Sequence, residues 1–328
     1  MCTAAAIKTS SLFFGRTLDY HKSFGEEVVF TPRRFTFPMR FCGDWRRHYA
    51  MVGAAIVAEG NPLYYDGMNE RGVCVAGLNF PHSAAFFPPS QSKINLAQFE
   101  IIPYILGSCA TAAQAAHELE NVNLTRENFS KELPVAGLHW LIADGADCFV
   151  AESVAGGMRI HRNNLGVLTN EPPFLYQLSN LSRYMMLSPG LPANNFCKGA
   201  DIRPQGMGYG AIGLPGDMSP QSRFVRAAFF ACNSKCGGGE EEGVNRLFHI
   251  LGGVSVPYGC CVAEGGGWES TLYTCCCSPA SGRYYFTTYS SLAPRCVDMR
   301  LENYEGDALV RYPMRGGFFA QVVNGHTC

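Results

Sequence analysis

Charge is what this sequence has least of. Asp, Glu, Lys and Arg together make up 16% of the 328 residues and nearly cancel, leaving a formal net charge of −1. So balanced a chain, with no run of like charge, carries no electrostatic footprint for nucleic acid or for an anionic membrane surface. Long apolar runs are missing as well: nothing approaches the ~18 residues that could span a bilayer. The N-terminus has no basic segment followed by an apolar run and a cleavage site. These absences predict a cytoplasmic protein with no nucleic-acid partner and no membrane partner.

Several chemical signatures are absent too. No serine stands in a Gly-x-Ser-x-Gly elbow, and no family motif of the papain kind accompanies a Cys/His pair. The letters GYGAIG at Gly208, Gly210 and Gly213 match the dinucleotide fingerprint. They follow RPQGM and run into Leu214-Pro215-Gly216, so neither the preceding strand nor the following helix that the fingerprint requires is present. Fifteen cysteines is an odd count in a long chain without an export signal, which predicts reduced thiols. Cys232/Cys236, Cys260/Cys261 and the run Cys275, Cys276, Cys277 lack the paired two-residue gaps of zinc sites. They are read as small buried hydrophobes, the adjacent ones pointing to opposite faces of a strand. No metal and no cofactor are expected.

What is present is a large hydrophobic complement, 47% of residues, enough for a sizeable core. Alternating apolar runs closed by turn residues predict strands at CTAAAIKT, SLFFGRTLD, EEVVFTP, GVCVAGLNF, HWLIADGADCFVAES, GMRIH, STLYTCCC and GRYYFTTYSS. Asp144-Gly145 is a hairpin turn between two of these runs. Helical spacing runs through INLAQFEIIPYILGSCATAAQAAHELENV, broken near Pro103 or Gly107 and restarted on Thr111 as N-cap. SPQSRFVRAAFFACN offers Ser219 as N-cap and Pro220 at the first helical position, and EEGVNRLFHILGG ends on glycine. His249 is placed on the apolar face of that last helix as a packed residue. Strands outnumber helices and group into hairpins, which predicts an α+β fold of antiparallel sheets with helices on their outer faces. No repeat or linker divides the chain, so residues 2–328 are expected to form one domain. Its protruding loop is the Pro/Gly/Asn-rich stretch at about 188–216.

The opening letters, MCTAAAIKT, place a cysteine behind the initiator methionine. Loss of that methionine would give one residue both a thiol nucleophile and an α-amine as its base, two groups that titrate near ~8.5 and ~7.7–8.0. A hairpin over Thr9-Ser10-Ser11 brings residues 16 to 19 opposite Cys2. There Arg16 could favour a thiolate and Asp19 could hold the amine. Both on one face would require a bulge, expected at Gly15. Acyl transfer also needs oxyanion donors, and Asn79 in VAGLNFP and Asn170 in GVLTNEPP stand where strands give way to loops. His21, His82 and His139 are the histidines that could lie near such a site.

Together MCTAAAI…FGRTLDY, EEVVFTPR, DGMNERGVCVAGLNFP, GVLTNEPPF, GYGAIGLPGDMSPQSRFVRAAFF and RYYFTTYSS resemble, in order and over nearly the whole chain, the choloylglycine hydrolase family. This family holds the bile salt hydrolases and penicillin V acylases. The resemblance implies a four-layer αββα sandwich of the N-terminal nucleophile hydrolase type. It implies Cys2 as nucleophile, flanked by Arg16 and Asp19, with Asn79 and Asn170 as oxyanion and substrate-orienting positions and Arg223 as the remaining active-site arginine. Asn79, where many penicillin V acylases carry tyrosine, favours amide hydrolysis of glycine- or taurine-conjugated bile salts. Penicillin V or an N-acyl homoserine lactone is the alternative substrate, and a non-catalytic acyl-amide or steroid binder the alternative class. The segment NNFCKGADIRPQGMGYGAIGLPGDMSP resembles a loop exchanged between subunits, implying a homotetramer. Phe24, Phe80, Phe86, Phe87 and Tyr184-Met185-Met186 are rim candidates for a steroid pocket.

Overall fold

The structure, a computed structural model, describes residues 1–318, 320, 321 and 324. Two antiparallel sheets form its centre. In the first, the strand order is Val167–Leu168, Cys2–Lys8, Leu12–Tyr20, Ser270–Ser278, Arg283–Thr288, Ser291–Asp298. The second runs Gly157–Arg162, Cys148–Val154, Leu138–Ala143, Cys74–Asn79, Asp66–Asn69, Met51–Ala58, Glu27–Thr31, Val310–Pro313, with Asn61–Tyr64 paired to Met51–Ala58. Helices Pro220–Asn233 and Glu240–Gly252 lie on the outer face of the first sheet; Ile101–Ser108 and Ala112–Glu120 lie on the outer face of the second. The result is a four-layer αββα sandwich.

The burial pattern explains the layering. Both faces of Cys2–Lys8 and Leu12–Tyr20 are covered, so these strands read as near-continuous small and apolar residues instead of alternating ones. Phe14, Leu18, Cys275 and Cys277 belong with Cys74, Ala76 and Leu141 to one core, which continues to Phe224, Leu247 and Ile250 of the outer helices. A second core joins Val75, Trp140 and Ile142 to Ile101, Ile105 and Leu119. Each fully buried aliphatic or aromatic side chain of this kind contributes ~1.5–3 kcal/mol.

The expected caps form: Thr111 accepts from the Gln114 amide at 3.1 Å and Ser219 from the Ser222 amide at 3.4 Å. Four local expectations are corrected. Ile94–Ala97 is a strand paired in parallel with Val122–Thr125, not the start of a helix. Of the two break points expected, Pro103 is not one, since it falls in the first turn of Ile101–Ser108 where a missing N–H breaks nothing; the one near Gly107 holds, the helix ending at Ser108. Pairing across Gly15 is regular; the bulge sits in the neighbouring strand, between Thr271 and Tyr273. Gly15 is required instead because a Cβ there would lie 1.9 Å from the Cys275 carbonyl oxygen. His249 is exposed, since the buried face of its helix is Val244, Leu247, Ile250 and Leu251.

Among the cysteines, Cys74, Cys109, Cys275, Cys276 and Cys277 are buried thiols, whereas Cys232 and Cys260 are exposed and Cys236 and Cys261 half-buried, against the packed reading of those two pairs. The stretch 188–216 carries one short helical turn, Tyr209–Ala211, and exposes Phe196 and Met207. Among the described residues no helix is long and apolar enough to cross a membrane.

Candidate active site

The hairpin register sets the geometry. Cys2 pairs with Leu18 and Ala4 with Arg16, so Cys2 and Arg16 share the face turned to the second sheet, while Thr3, Thr17 and Asp19 share the face turned to the helices. Arg16 and Asp19 therefore reach the N-terminal segment from opposite faces, and no bulge is needed to bring them there.

Arg16, fully buried, donates from Nη2 to Cys2 Sγ at 2.6 Å. The rest of its guanidinium is fixed by carbonyls: Nη1 donates to Gly77 at 2.7 Å and Tyr65 at 3.2 Å, and Nε to Thr17 at 3.2 Å. Burial opposes its charge, but the Cys2, Tyr273 and Asp66 side chains outweigh that and raise its pKa above the ordinary arginine value. A permanent cation is thus aimed at the sulfur.

On the other face Arg223, from helix Pro220–Asn233, is also fully buried. Its Nη2 donates to Asn170 Oδ1 at 2.7 Å, and Nη1 donates to Thr3 Oγ1 at 2.7 Å and to the Cys2 carbonyl. Asn170 Oδ1 also accepts from the Cys2 backbone nitrogen at 2.9 Å, and Asn170 Nδ2 donates to the Asn79 carbonyl at 2.9 Å. Both ends of the Asn170 amide are therefore occupied. Asn79 differs: it is exposed at the end of Cys74–Asn79, and its own side-chain amide has no hydrogen-bond partner among the described residues.

Asp19 accepts from Thr271 Oγ1 at 2.6 Å and Thr17 Oγ1 at 3.0 Å. Its pKa is raised by burial, against the opposing pull of Arg223 and the N-terminal amine. Met1 precedes Cys2 here; its amine donates to the Asp19 carbonyl at 2.7 Å and to Glu269 Oε2 at 2.9 Å. All six residues singled out from the sequence, Cys2, Arg16, Asp19, Asn79, Asn170 and Arg223, converge on this one region.

Three acidic groups at the site escaped sequence reasoning, and of the three histidines expected near it His139 lies there. Glu269 meets the amine. Asp66, buried behind Arg16, accepts from Tyr273 at 2.5 Å, Tyr284 at 2.6 Å and the Cys275 thiol at 3.4 Å, and burial raises its pKa. Glu152 and His139 form a buried pair beneath Asn79 and Asn170. None of the three carboxylates carries a local signal, because each comes from a separate part of the chain: strand Asp66–Asn69, strand Cys148–Val154 and the residue before Ser270–Ser278. Among the rim candidates Phe24, Met185 and Met186 are exposed, but Phe80 is fully buried, stacked on His139. Among the described residues no cluster of three or more His, Cys, Asp or Glu could hold a metal. A cavity of about 480 Å³ opens beside Ser23, Glu26, Leu272, Tyr289 and Arg315; neither Cys2 nor Asn170 is among the residues that line it.

A fold of two stacked antiparallel sheets between helices, with a cysteine at the start of a central strand, is that of the N-terminal nucleophile hydrolases. The chain belongs to the choloylglycine hydrolase family of linear amide C–N hydrolases, whose model matches residues 2–312. It is 41% identical over 324 residues to the bile salt hydrolase/transferase of Lactiplantibacillus plantarum, covering 99% of this chain and 100% of that one. It is 37% identical to the conjugated bile acid hydrolase of Lactobacillus gasseri over 95% of this chain and 100% of the relative. The crystal structure of a conjugated bile acid hydrolase from Clostridium perfringens superposes with a TM-score of 0.91 at 29% identity, covering 99% of this chain and all of that one. A penicillin V acylase from Agrobacterium tumefaciens shares the fold, with a TM-score of 0.75 over 94% of this chain and 90% of its own.

Proposed function

We propose that this hydrolase cleaves the amide bond of glycine- or taurine-conjugated bile salts, with Cys2 as its N-terminal nucleophile after loss of Met1. The observation that carries the chemistry is the approach of Arg16 Nη2 to Cys2 Sγ at 2.6 Å while Asn170 Oδ1 lies 2.9 Å from the Cys2 nitrogen. One group favours the thiolate and the other orients the amine that takes its proton. The substrate class is supported by the relatives at 41% and 37% identity over nearly full length, a bile salt hydrolase/transferase and a conjugated bile acid hydrolase.

In this reading the Cys2 α-amine removes the thiol proton and the thiolate adds to the amide carbonyl. Asn79, whose side-chain amide is free, donates to the developing oxyanion. Asn170, with both amide ends engaged by Arg223, the Cys2 nitrogen and Asn79, orients the amine. The protonated amine passes its proton to the leaving nitrogen, the C–N bond breaks and a thioester remains. Water, deprotonated by the same amine, then attacks the thioester, releasing free bile acid and restoring the thiol. An amine attacking in place of water would complete an acyl transfer, the second activity in the name of the Lactiplantibacillus plantarum relative.

Side-by-side turnover of glycocholate, taurocholate and penicillin V tests the substrate. Conjugated bile salts should be cleaved with at least ~10-fold higher kcat/KM, since a poorly fitting acyl group is rejected by ~1–3 kcal/mol per contact. Better turnover of penicillin V overturns the substrate and leaves the Cys2 chemistry standing; no turnover of any acyl amide favours a silent binder. The homotetramer implied by the resemblance of the 188–216 loop is proposed as well; the exposed apolar side chains Met185, Met186, Leu191, Phe196 and Met207 are surface that association between copies would cover. Light scattering of the purified protein checks this.

A further inference from the structure

His139 is buried and has no part in the chemistry described above, yet it touches both loops that carry the two asparagines. Its strand, Leu138–Ala143, pairs Leu138 with Asn79 and His139 with Glu152. Its ring stacks on Phe80, the residue after Asn79, with centroids 4.3 Å apart and planes 9° from parallel. Nε2 lies 2.8 Å from the carbonyl oxygen of Thr169, the residue before Asn170. Nδ1 lies 3.0 Å from Glu152 Oε1, which also accepts from the Phe174 amide at 2.9 Å. Thr169 offers only an acceptor, so Nε2 carries a hydrogen, and a second hydrogen lies between Nδ1 and Glu152.

We propose that His139 is a positioning residue for amide hydrolysis: its ring face fixes the Asn79 end and its Nε2–H fixes the Asn170 end, setting the gap in which the carbonyl is attacked. The inference rests on the assignment of Asn79 to the oxyanion and Asn170 to the amine. Glu152 holds the ring in orientation and is itself held by Phe174. A purely structural pair would knit the same strands together without any preference for which ring nitrogen keeps its partner.

That difference gives the test. Asparagine places an amide near the Nδ1 position and glutamine near the Nε2 position. His139→Asn keeps the contact to Glu152 and loses the one to Thr169; His139→Gln does the reverse and leaves the Glu152 carboxylate without its partner. The expected result is a crossing of activity and stability. His139→Asn should have the higher Tm but lose ~100-fold in kcat on a glycine-conjugated bile salt with little change in KM, as a misplacement of about 1 Å can do. His139→Gln should have the lower Tm yet stay within ~10-fold of the parent. Should His139→Gln not fold, the His139→Gln/Glu152→Gln double variant removes the orphaned charge and is measured in its place. Activity that follows the Tm order, or a His139→Asn enzyme with parental kcat, overturns the proposal. Alkylation of the parent separates the two readings: loss of turnover on modification of Cys2 upholds the nucleophile, and any kinetic failure then falls on His139 alone. Turnover that survives full alkylation of Cys2 overturns both.

Discussion

Asn170 Oδ1 accepts from the Cys2 nitrogen at 2.9 Å and from Arg223 Nη2 at 2.7 Å, so one amide oxygen joins the start of the chain to a helix more than two hundred positions away. Arg223 fixes this oxygen from within the protein, without reaching the sulfur. Replacing Arg223 with Ala should lower kcat/KM by ~100-fold or more, because Asn170 and the Cys2 carbonyl lose their common donor. It should also lower Tm, since Thr3 and Asp19 lose a buried cation. Steady-state kinetics together with a thermal melt check both effects; near-parental turnover refutes the role.

Arg16→Lys keeps a positive charge but gives up the fork that binds Gly77, Tyr65 and Thr17 while facing the sulfur. The expected loss is ~10–100-fold in kcat/KM, with slower alkylation of Cys2 by iodoacetamide at neutral pH. Unchanged alkylation would show that Arg16 does not act on the thiol.

Cys2→Ala should abolish hydrolysis and leave the melting curve in place. By intact mass, active enzyme should begin at Cys2, since a retained Met1 leaves its nitrogen as a non-basic amide. Cys42, Cys197 and Cys260 are exposed and will also react, so the specific readout is protection of Cys2 by a conjugated bile salt. Burial pushes Cys148 up to about 12, which keeps it an unreactive thiol at neutral pH.

Asp217 supports the helix that carries Arg223. Its Oδ1 accepts from the Ser219 amide at 2.9 Å and its Oδ2 from the Ser222 hydroxyl at 2.5 Å. The hydrogen bonds from Ser219 and Ser222 lower its pKa from 3.8 to about 2. A depressed carboxyl stabilises the fold above its unfolded pKa, and the effect fades as pH falls toward the folded value. Asp217→Ala should therefore cost about 0.5–1 kcal/mol at pH 6, discounted for solvent exposure. The difference from the parent should shrink by pH 3, as urea midpoints at the two pH values would show. A gap that grows in acid contradicts this linkage.

Gly15→Ala should be among the most damaging single-methyl additions. The new Cβ would meet the Cys275 backbone carbonyl at 1.9 Å in the middle of a sheet, where neither strand can move aside. A loss of about 3 kcal/mol or more is expected in a denaturant titration.

The sequence by itself determined the hairpin of residues 2–20, the two capped helices at Thr111 and Ser219, the antiparallel layering and the six residues that gather at the site. Those features are local or carried by long contiguous motifs: alternation, turn residues, N-caps, and a cysteine next to the first methionine. What failed locally failed for tertiary reasons. Ile94–Ala97 is apolar at helical spacing but pairs with Val122–Thr125, because an available strand partner overrides propensity in so short a run. The bulge lies opposite Leu18 and Asp19 instead of at Gly15, since Arg16 and Asp19 work from opposite faces of their strand and require no common one. Tertiary structure alone decided that Asn170 spends both ends of its amide while Asn79 keeps its own free. It alone brought Asp66, Glu152 and Glu269 beside them, and it singled out His139 from the three histidines that the sequence offered. A buried carboxylate or imidazole has no sequence signature of its own; its partners arrive from strands far away in the chain, and only the stacking of the two sheets puts them within hydrogen-bond reach.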